Sequence, residues 1–227
     1  MKNKIEILTD INNYDYMINL LNEDGIFIVE NYISGDELTK LHDEILDKCK
    51  TEASNYEFGR NYRGPGLNSF NKNSSTYKTF NKDWMRNLYN QYFGKNDKYC
   101  SSIFATWDYK NDSGLARNGW LHFDRGRCLK FFIYLTDIDE YSGAFSCCPG
   151  SRSKGEELRE TATENSTNYG DILNRIELDY RDLLDVYPCV PVEGKAGTLI
   201  VFDTDAFHKG GLVEDGKSRL VVRAHCT

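Results

Sequence analysis

The sequence predicts an α+β domain, mainly β, with a double-stranded β-helix (jelly-roll or cupin-like) core and N-terminal helices packed on one sheet. Apolar residues recur at helical spacing before residue 98, and short β segments separated by turn residues follow. A length of 227 residues suits one large domain. We therefore expect a single domain over residues 1–227, with 1–98 as mainly helical support and 99–227 as the β-helix core.

The N-terminal part has the pattern of helix, turn, strand and helix. The apolar positions of the first helix are Tyr14, Met17, Ile18 and Leu21. Gly25 then ends this helix before an apolar strand at 26–29. Ser34 and Glu37 form a capping box that opens a second helix, buried through Leu38, Leu41, Ile45 and Cys49. His42 borders that face and is expected to be half-exposed. A third helix ends near Gly94, with apolar positions at Tyr77, Phe80, Trp84 and Leu88.

Seven later segments have the composition and turn boundaries of β-strands. They are Tyr99–Tyr109, Gly119–Asp124, Cys128–Leu135, Ala144–Cys148, Val190–Val192, Gly197–Phe202 and Arg219–His225. The polar segment 51–75 is either a solvated connection or a lid that carries arginines to an anionic substrate group. A second polar segment, 151–175, is expected to cross the barrel mouth or surface before a short helix around Asp171–Ile176.

Composition excludes some classes of partner. A net charge of −7 argues against nucleic acid and anionic membranes, both of which attract basic surfaces. No apolar run is long enough to span a bilayer, and the N-terminus has no signal-type apolar core, so we expect a cytoplasmic protein. The seven cysteines show no C-x-x-C spacing and are expected to be reduced.

The candidate site begins with the motif His122-x-Asp124. Successive side chains of a strand alternate faces, so His122 and Asp124 point the same way and could bind one ion. The alternative is that His122 hydrogen-bonds Asp124 or a backbone carbonyl in the core. His208 follows a β run and precedes a Gly-Gly turn, a position where barrel mouths hold ligands. Two histidines and one carboxylate on one face of a metal form the facial triad of non-haem Fe(II) oxygenases.

Arg219 begins the last predicted strand, and Arg223 lies on the same face by parity. A guanidinium group can hold a carboxylate through two hydrogen bonds. Beside a third metal ligand, Arg219 is a candidate anchor for an acidic cosubstrate.

The order of these motifs resembles a known family. They are His122-x-Asp124, the strand Leu129–Leu135 with Thr136-Asp137, the turn Ser142-Gly143-Ala144, Cys148-Pro149-Gly150-Ser151, Gly197-Thr198, His208 and Arg219. Together with Asp24–Glu30 near the N-terminus, they resemble the phytanoyl-CoA dioxygenase family of Fe(II)/2-oxoglutarate oxygenases. The resemblance covers about residues 20–50 and 100–227. One departure is Arg152, where the family often has histidine.

The resemblance implies a function and a set of site residues. His122, Asp124 and His208 would bind Fe(II), and Arg219 would pair with the distal carboxylate of the cosubstrate 2-oxoglutarate. The reaction would consume O₂, release succinate and CO₂, and hydroxylate an unactivated C–H bond of a small molecule, with ascorbate as a candidate reductant. Halogenating relatives replace the carboxylate ligand by a small residue, so Asp124 favours hydroxylation.

The sequence is also compatible with two other classes of function. One is a cupin-like metal-dependent isomerase or lyase that does not use 2-oxoglutarate. The other is a ligand-binding barrel with a vestigial metal site. Desaturation or ring formation are further outcomes of the same oxidative chemistry. The substrate is not named by the sequence, although arginines at 60, 63 and 117 are candidates to meet an anionic group. The oligomeric state is also open.

Overall fold

Two antiparallel β-sheets form the core of the computed structural model, which describes residues 4–56, 59–94, 99–109, 119–165, 168 and 173–227. The strands are β1 (Ile26–Val29), β2 (Ser54–Tyr56), β3 (Gly59–Arg63), β4 (Ser102–Tyr109), β5 (Leu129–Tyr134), β6 (Phe145–Cys147), β7 (Val190–Val192), β8 (Leu199–Asp203), β9 (His208–Lys209) and β10 (Ser218–Cys226). Within the described ranges, the larger sheet has the order β1-β8-β5-β10-β4-β3-β2, and the smaller has the order β7-β6-β9.

Helices cover the outer face of the larger sheet. The helices are α1 (Tyr14–Glu23), α2 (Gly35–Thr51), α3 (Ser75–Phe80), α4 (Asp83–Phe93), α5 (Arg152–Glu164) and α6 (Ile176–Asp179), with 3-10 turns at Leu67–Ser69 and Arg181–Leu183. Leu21 of α1, Leu41 of α2 and Leu88 of α4 share one buried cluster with Phe131 and Val222 of the sheet. Burial of these apolar side chains is the main force that holds helices and sheet together. The predicted α+β class, mainly β with a jelly-roll core and N-terminal helices on one sheet, is confirmed.

Strand β10 shows how the sequence assigns the two faces of the larger sheet. Leu220 and Val222 belong to the cluster beneath the helices. Val221 belongs to a second cluster, which lies between the two sheets and includes Phe145 of β6. Because strand side chains alternate, Arg219 and Arg223 point the same way as Val221, towards the space between the sheets.

The N-terminal predictions agree with the structure except in details of capping. Helix α1 and strand β1 lie where the pattern places them. Ser34 is the residue before α2, but its side chain makes no capping hydrogen bond. Glu37, the other half of the predicted capping box, instead accepts a hydrogen bond from Lys82 at 3.2 Å. The third predicted helix is divided into α3 and α4 by Asn81 and Lys82. As expected, His42 is half-exposed.

The polar segment 51–75 does not remain an irregular connection. Its residues Ser54–Tyr56 and Gly59–Arg63 form β2 and β3, which extend the larger sheet beyond β4. Three of the strands in this sheet therefore come from the first 98 residues. The apolar pattern is absent here because only Gly59 and Tyr62 of β3 are buried, while Ser54 and Asn55 of β2 are exposed.

Two further predictions of local structure were wrong. Residues 119–124 form no regular strand, because His122 makes single bridges to two different neighbours, Arg175 and His208. The segment 151–175 contains helix α5, whose buried position is Gly155, so no apolar stripe marked it. The short helix expected around 171–176 instead begins at Ile176, and residues 171–172 lie outside the described ranges.

In the described part of the chain, none of the helices combines the length and the apolarity that a bilayer-crossing segment requires.

Candidate metal centre

The three predicted metal-binding residues converge between the two sheets. His122 and His208 exchange backbone hydrogen bonds in both directions, at 3.0 and 2.8 Å. The Asp124 N–H donates to the Thr204 carbonyl oxygen at 2.9 Å. These bonds fix the loop that carries His122 and Asp124 against the turn that carries His208. The backbone therefore brings together residues that are far apart in sequence.

The side chains form a compact set of possible ligand atoms. Asp124 Oδ1 lies 3.7 Å from His122 Nε2 and 3.6 Å from His208 Nε2. All three atoms lie within 4.8 Å of one another. Imidazole and carboxylate ligands bind divalent transition metals at about 2.0–2.2 Å. Two ligand atoms on one ion are therefore separated by at most roughly 4 Å. The Asp124 oxygen meets this limit with each imidazole, and two imidazoles with one carboxylate are the ligand types that suit Fe(II).

Both imidazoles are held with Nε2 towards the centre. His122 Nδ1 donates to the Trp120 carbonyl oxygen at 2.7 Å, and His208 Nδ1 donates to the Ala206 carbonyl oxygen at 2.8 Å. A carbonyl oxygen only accepts, so each Nδ1 carries a proton and, in the neutral form of the ring, the lone pair lies on Nε2. Burial and the neighbouring His208 lower the pKa of His122 to about 4. His122 is therefore neutral near pH 7, the state that binds a metal.

Asp124 has a charged partner behind it. Lys130 of β5 places Nζ 2.5 Å from Asp124 Oδ2 and is itself buried. Burial alone would raise the pKa of Asp124, but the Lys130 ammonium and the His208 imidazole outweigh it and hold the pKa well below its usual range. The carboxylate is therefore ionised, with one oxygen towards Lys130 and the other towards the histidines.

Arg219 lines the same cavity as the three candidate ligands. This cavity, of about 130 Å³, is also lined by Lys130 and Arg223. Asp108 Oδ2 lies 2.9 Å from Arg219 Nε and 2.7 Å from Arg219 Nη2, while Nη1 donates to the Gly143 carbonyl oxygen. A guanidinium group has five N–H donors, so these bonds leave two for a ligand. Asp108 Oδ1 is buried without a hydrogen-bond partner among the described residues.

Arg223 and His225 continue the polar row of β10. Arg223 Nε donates to His225 Nε2 at 3.2 Å. Burial, with Lys130 and Arg223 nearby, lowers the pKa of His225 to about 2, so its ring is neutral and able to accept this bond. His225 packs against Phe104 with ring centroids 4.4 Å apart. These contacts fix the side chains of Arg223 and His225. Arg223 lines the small cavity, and His225 lines a second cavity.

The second cavity is larger and lies on the outer side of the same residues. Its volume is about 550 Å³, within the range of small-molecule sites. Its lining includes His122, Asp124, Arg125, Arg127, Arg175 and His225. The metal centre therefore faces a small cavity that contains Arg219 and a large one with several arginines at its walls.

A charged network supports the turn that carries His208, and sequence patterns did not reveal it. Arg127 Nε donates to Asp203 Oδ2 at 2.9 Å, and Arg127 Nη1 donates to Glu156 at 3.0 Å. Arg159 holds both oxygens of Asp205, at 2.6 and 3.0 Å. The signal that could have found it is the spacing of residues 152, 156 and 159, which places three charged side chains on one face of a helix.

Helix α5 approaches this turn very closely. A Cβ atom on Gly155 would lie 1.8 Å from the Asp205 carbonyl oxygen, so a larger residue cannot fit without moving the helix. Arg152, where the family often has histidine, bonds Glu156 and Asp203 and belongs to the network.

The arginines expected to meet a substrate lie elsewhere. Arg60 donates from Nη2 to the Ala53 carbonyl oxygen at 2.9 Å and so holds β2 against β3. The Arg63 guanidinium lies 6.0 Å from the ring centroid of Phe104. Arg117 lies outside the described residues. The cysteines are free thiols, and none supplies an atom to the candidate metal centre.

A jelly-roll core with two histidines and one carboxylate between its sheets defines the class of mononuclear non-haem metal enzymes. Within that class, the chain belongs to the phytanoyl-CoA dioxygenase (PhyH) family, whose sequence profile matches residues 21–221. The predicted family is therefore confirmed. No curated protein matches the chain in sequence.

Several solved structures share the fold. SnoN, described as a non-haem α-ketoglutarate-dependent epimerase from nogalamycin biosynthesis, aligns with 14% identity and a TM-score of 0.67, over 96% of this chain and 84% of its own. Its complex with Fe³⁺, α-ketoglutarate and nogalamycin RO aligns over the same shares, with a TM-score of 0.71. AviO1 from Streptomyces viridochromogenes Tue57 aligns with 15% identity over 95% of each chain and a TM-score of 0.60. At these identities, the likeness establishes the fold.

Family membership and the fit of the three side chains to a metal confirm the predicted cofactors, iron and 2-oxoglutarate. The protein is a non-haem Fe/2-oxoglutarate enzyme. The assignment of His122, Asp124 and His208 as ligands and of Arg219 as the cosubstrate anchor stays a prediction.

Proposed function

We propose that the protein is an Fe(II)- and 2-oxoglutarate-dependent dioxygenase that hydroxylates an unactivated C–H bond of a small molecule. The observation that carries this proposal is the placement of Arg219 in one cavity with His122, Asp124 and His208. A metal-binding isomerase or lyase would need the three ligands but no buried guanidinium group for an oxo acid. The retained carboxylate of Asp124 favours hydroxylation, as the family resemblance implies.

The chain would contribute ligands, orientation and charge. His122, Asp124 and His208 would hold Fe(II) on one face. The bound iron would supply the oxidative chemistry by which 2-oxoglutarate and O₂ become succinate, CO₂ and an oxidised substrate. Arg219 would orient the cosubstrate through the two N–H donors that Asp108 and Gly143 leave unused.

The walls of the small cavity would exclude bulk water from the reacting groups. Phe132, Phe145 and Phe202 line it beside the candidate ligands. A dry site strengthens the interaction between Arg219 and a cosubstrate carboxylate, because charges interact more strongly where the dielectric constant is low. The same rings keep the metal centre from opening freely to solvent on that side.

The first experiment is anaerobic titration of the protein with Fe(II) and 2-oxoglutarate, followed by visible absorption. We expect a charge-transfer band in the wild type, its loss in Asp124→Ala, and a large loss of 2-oxoglutarate affinity in Arg219→Ala. With O₂ admitted, 2-oxoglutarate should be converted slowly to succinate without substrate. If neither substitution changes the absorption, the proposal is wrong.

Product analysis then separates the classes of reaction. A hydroxylase adds one oxygen atom to its substrate, whereas an epimerase or other isomerase leaves the mass unchanged. A cupin-like isomerase or lyase would turn over without 2-oxoglutarate, in the wild type and in Arg219→Ala alike. Iron binding without oxygen consumption across a substrate panel would indicate a vestigial site. Ascorbate as reductant and a cytoplasmic location stay predictions. The net charge of −7 continues to favour a small-molecule substrate over nucleic acid or a membrane.

A further inference from the structure

Arg175 lies directly beside the metal centre. Its backbone forms an antiparallel bridge with His122. Bridge partners in antiparallel pairs place their side chains on the same side. The Arg175 side chain therefore extends on the side to which His122 points, and both residues line the 550 Å³ cavity.

The Arg175 guanidinium is held by an aromatic contact, and no described carboxylate neutralises it. It lies 5.7 Å from the ring centroid of Trp120, which is two residues before His122. An arginine over an aromatic face keeps the N–H donors at its edge available. Among the described residues, no carboxylate lies within ion-pair distance of Arg175, and its side chain makes no hydrogen bond. Its one bond to a carboxylate is from the backbone N–H, to Asp179 at 2.9 Å.

The neighbouring arginines differ in role. Arg127 also lines the cavity, but Asp203, Glu156 and Tyr92 occupy its guanidinium group. Arg125, which follows Asp124 in sequence, also lines the cavity. In a protein with a net charge of −7, the Arg175 guanidinium, which has no described counter-charge, is the group in this wall that attracts an anion.

We propose that the substrate is a polar small molecule with an oxyanion, a phosphate or a carboxylate, which Arg175 holds. This inference rests on the proposed function, because it places the oxyanion in the cavity outside His122 and Asp124. The guanidinium fork binds either oxyanion through paired hydrogen bonds. Holding one end of the substrate fixes which of its C–H bonds faces the metal centre.

The test uses the protein loaded with Mn(II) and 2-oxoglutarate, so that the cosubstrate covers Arg219. Phenylglyoxal modifies accessible arginines, and mass spectrometry of peptides gives the rate at each one. Inorganic phosphate and acetate serve as probes at constant ionic strength. We expect at least one of them, at about ten times its dissociation constant, to slow modification of Arg175 by roughly tenfold. Protection by phosphate alone identifies a phosphate site, and protection by acetate alone identifies a carboxylate site.

Arg181 is the matched control, because it is exposed and its Nε donates to a backbone oxygen of the same segment. Its rate should not change with either probe. The inference is overturned if neither probe changes the rate at which Arg175 is modified. It is also overturned if a probe slows modification of Arg181 as much as that of Arg175.

A variant separates this site from the cosubstrate site. Arg175→Met should lose phosphate or acetate binding measured by calorimetry, yet retain the visible absorption with Fe(II) and the wild-type affinity for 2-oxoglutarate. A loss of 2-oxoglutarate affinity in Arg175→Met would show that Arg175 serves the cosubstrate instead. If the wild type itself shows no absorption band, the proposed function fails, whatever the arginine rates are.

Discussion

Lys130 binds Asp124 from behind the candidate metal centre, with Nζ 2.5 Å from Oδ2, while Oδ1 of the same carboxylate lies 3.6 Å from His208 Nε2. The two oxygens of Asp124 are thereby assigned to different partners. The imidazoles are oriented in the same manner by carbonyl oxygens of Trp120 and Ala206. Each candidate ligand thus has a group that fixes its direction.

Removing the Lys130 ammonium should weaken metal binding without removing a ligand. Lys130→Met keeps most of the apolar stem but leaves Asp124 Oδ2 without its charged partner. Loss of a partner that orients a ligand typically reduces metal affinity by roughly 10–100-fold. Titration with Mn(II), followed by electron paramagnetic resonance, measures this affinity. Lys154→Met is the control, since Lys154 pairs with Glu157 on the surface of α5. Equal Mn(II) affinities in wild type and Lys130→Met would contradict the assigned role.

Replacing Asp108 should destabilise the protein, and 2-oxoglutarate should restore part of the lost stability. Asp108→Ala leaves the buried Arg219 guanidinium without a carboxylate, and loss of one partner from a buried pair costs roughly 3–5 kcal/mol. A cosubstrate carboxylate at Arg219 would replace the missing charge. We expect 2-oxoglutarate to raise the melting temperature more in Asp108→Ala than in wild type.

The control for this experiment is Asp83→Ala, which breaks a surface pair with Arg86. An exposed pair contributes less than about 1 kcal/mol, so Asp83→Ala should lose little stability. The effect of 2-oxoglutarate on its melting temperature should be the same as in wild type. An equal thermal response of wild type and Asp108→Ala would argue that Arg219 does not bind the cosubstrate.

The convergence of His122, Asp124 and His208 could be predicted because it depends on local rules. Alternation placed His122 and Asp124 on one side, and an apolar strand followed by a turn placed His208 at its end. Even where the predicted strand 119–124 proved wrong, the side-chain directions survived, since single bridges preserve the local extended backbone.

The partners of these residues could not be predicted in the same way. Asp108 meets Arg219 through strand register, which one sequence does not specify for strands so distant in the chain. Helix α5 escaped detection because it packs through charges and Gly155 instead of an apolar stripe. Lys130 did leave a signal, as a lysine within the otherwise apolar strand β5. A buried charge of that kind indicates a nearby counter-charge but does not name it.

Arg127 should contribute strongly to stability through the turn that carries His208. Asp203 is fully buried, and Arg127→Met removes its nearest guanidinium group. Arg152 Nε remains 3.5 Å away, so we expect a loss of roughly 3 kcal/mol, the lower end for a broken buried pair. Chemical denaturation measures the free energy of unfolding. Arg181→Met, on the surface, should change it by less than about 0.5 kcal/mol. A similar small change in Arg127→Met would mean that Arg152 and the Tyr92 hydroxyl are enough to satisfy Asp203.

Cys189 should be the most reactive thiol of the described residues. Its Sγ lies 2.9 Å from that of Cys148, and this hydrogen bond, which stabilises the thiolate, lowers the pKa of Cys189. Burial instead raises the pKa of Cys49 to about 11. The thiolate is the reactive form, so the alkylation rate of Cys189 should rise at a lower pH than that of an ordinary thiol, whereas Cys49 should stay inert until far higher pH.

Iodoacetamide labelling over a pH series, followed by peptide mass spectrometry, gives the rate at each cysteine. Cys148→Ala removes the hydrogen-bond donor, so the pH at which Cys189 becomes reactive should shift upward. Cys128→Ala is the matched control. Cys128 is buried, as Cys148 is, but it contacts Thr204 and not the Cys148–Cys189 pair. An unchanged pH profile in Cys148→Ala would show that the Cys148 thiol does not stabilise the Cys189 thiolate. Recovery of the two cysteines in one cross-linked peptide without reductant would show a disulfide in place of the thiol pair.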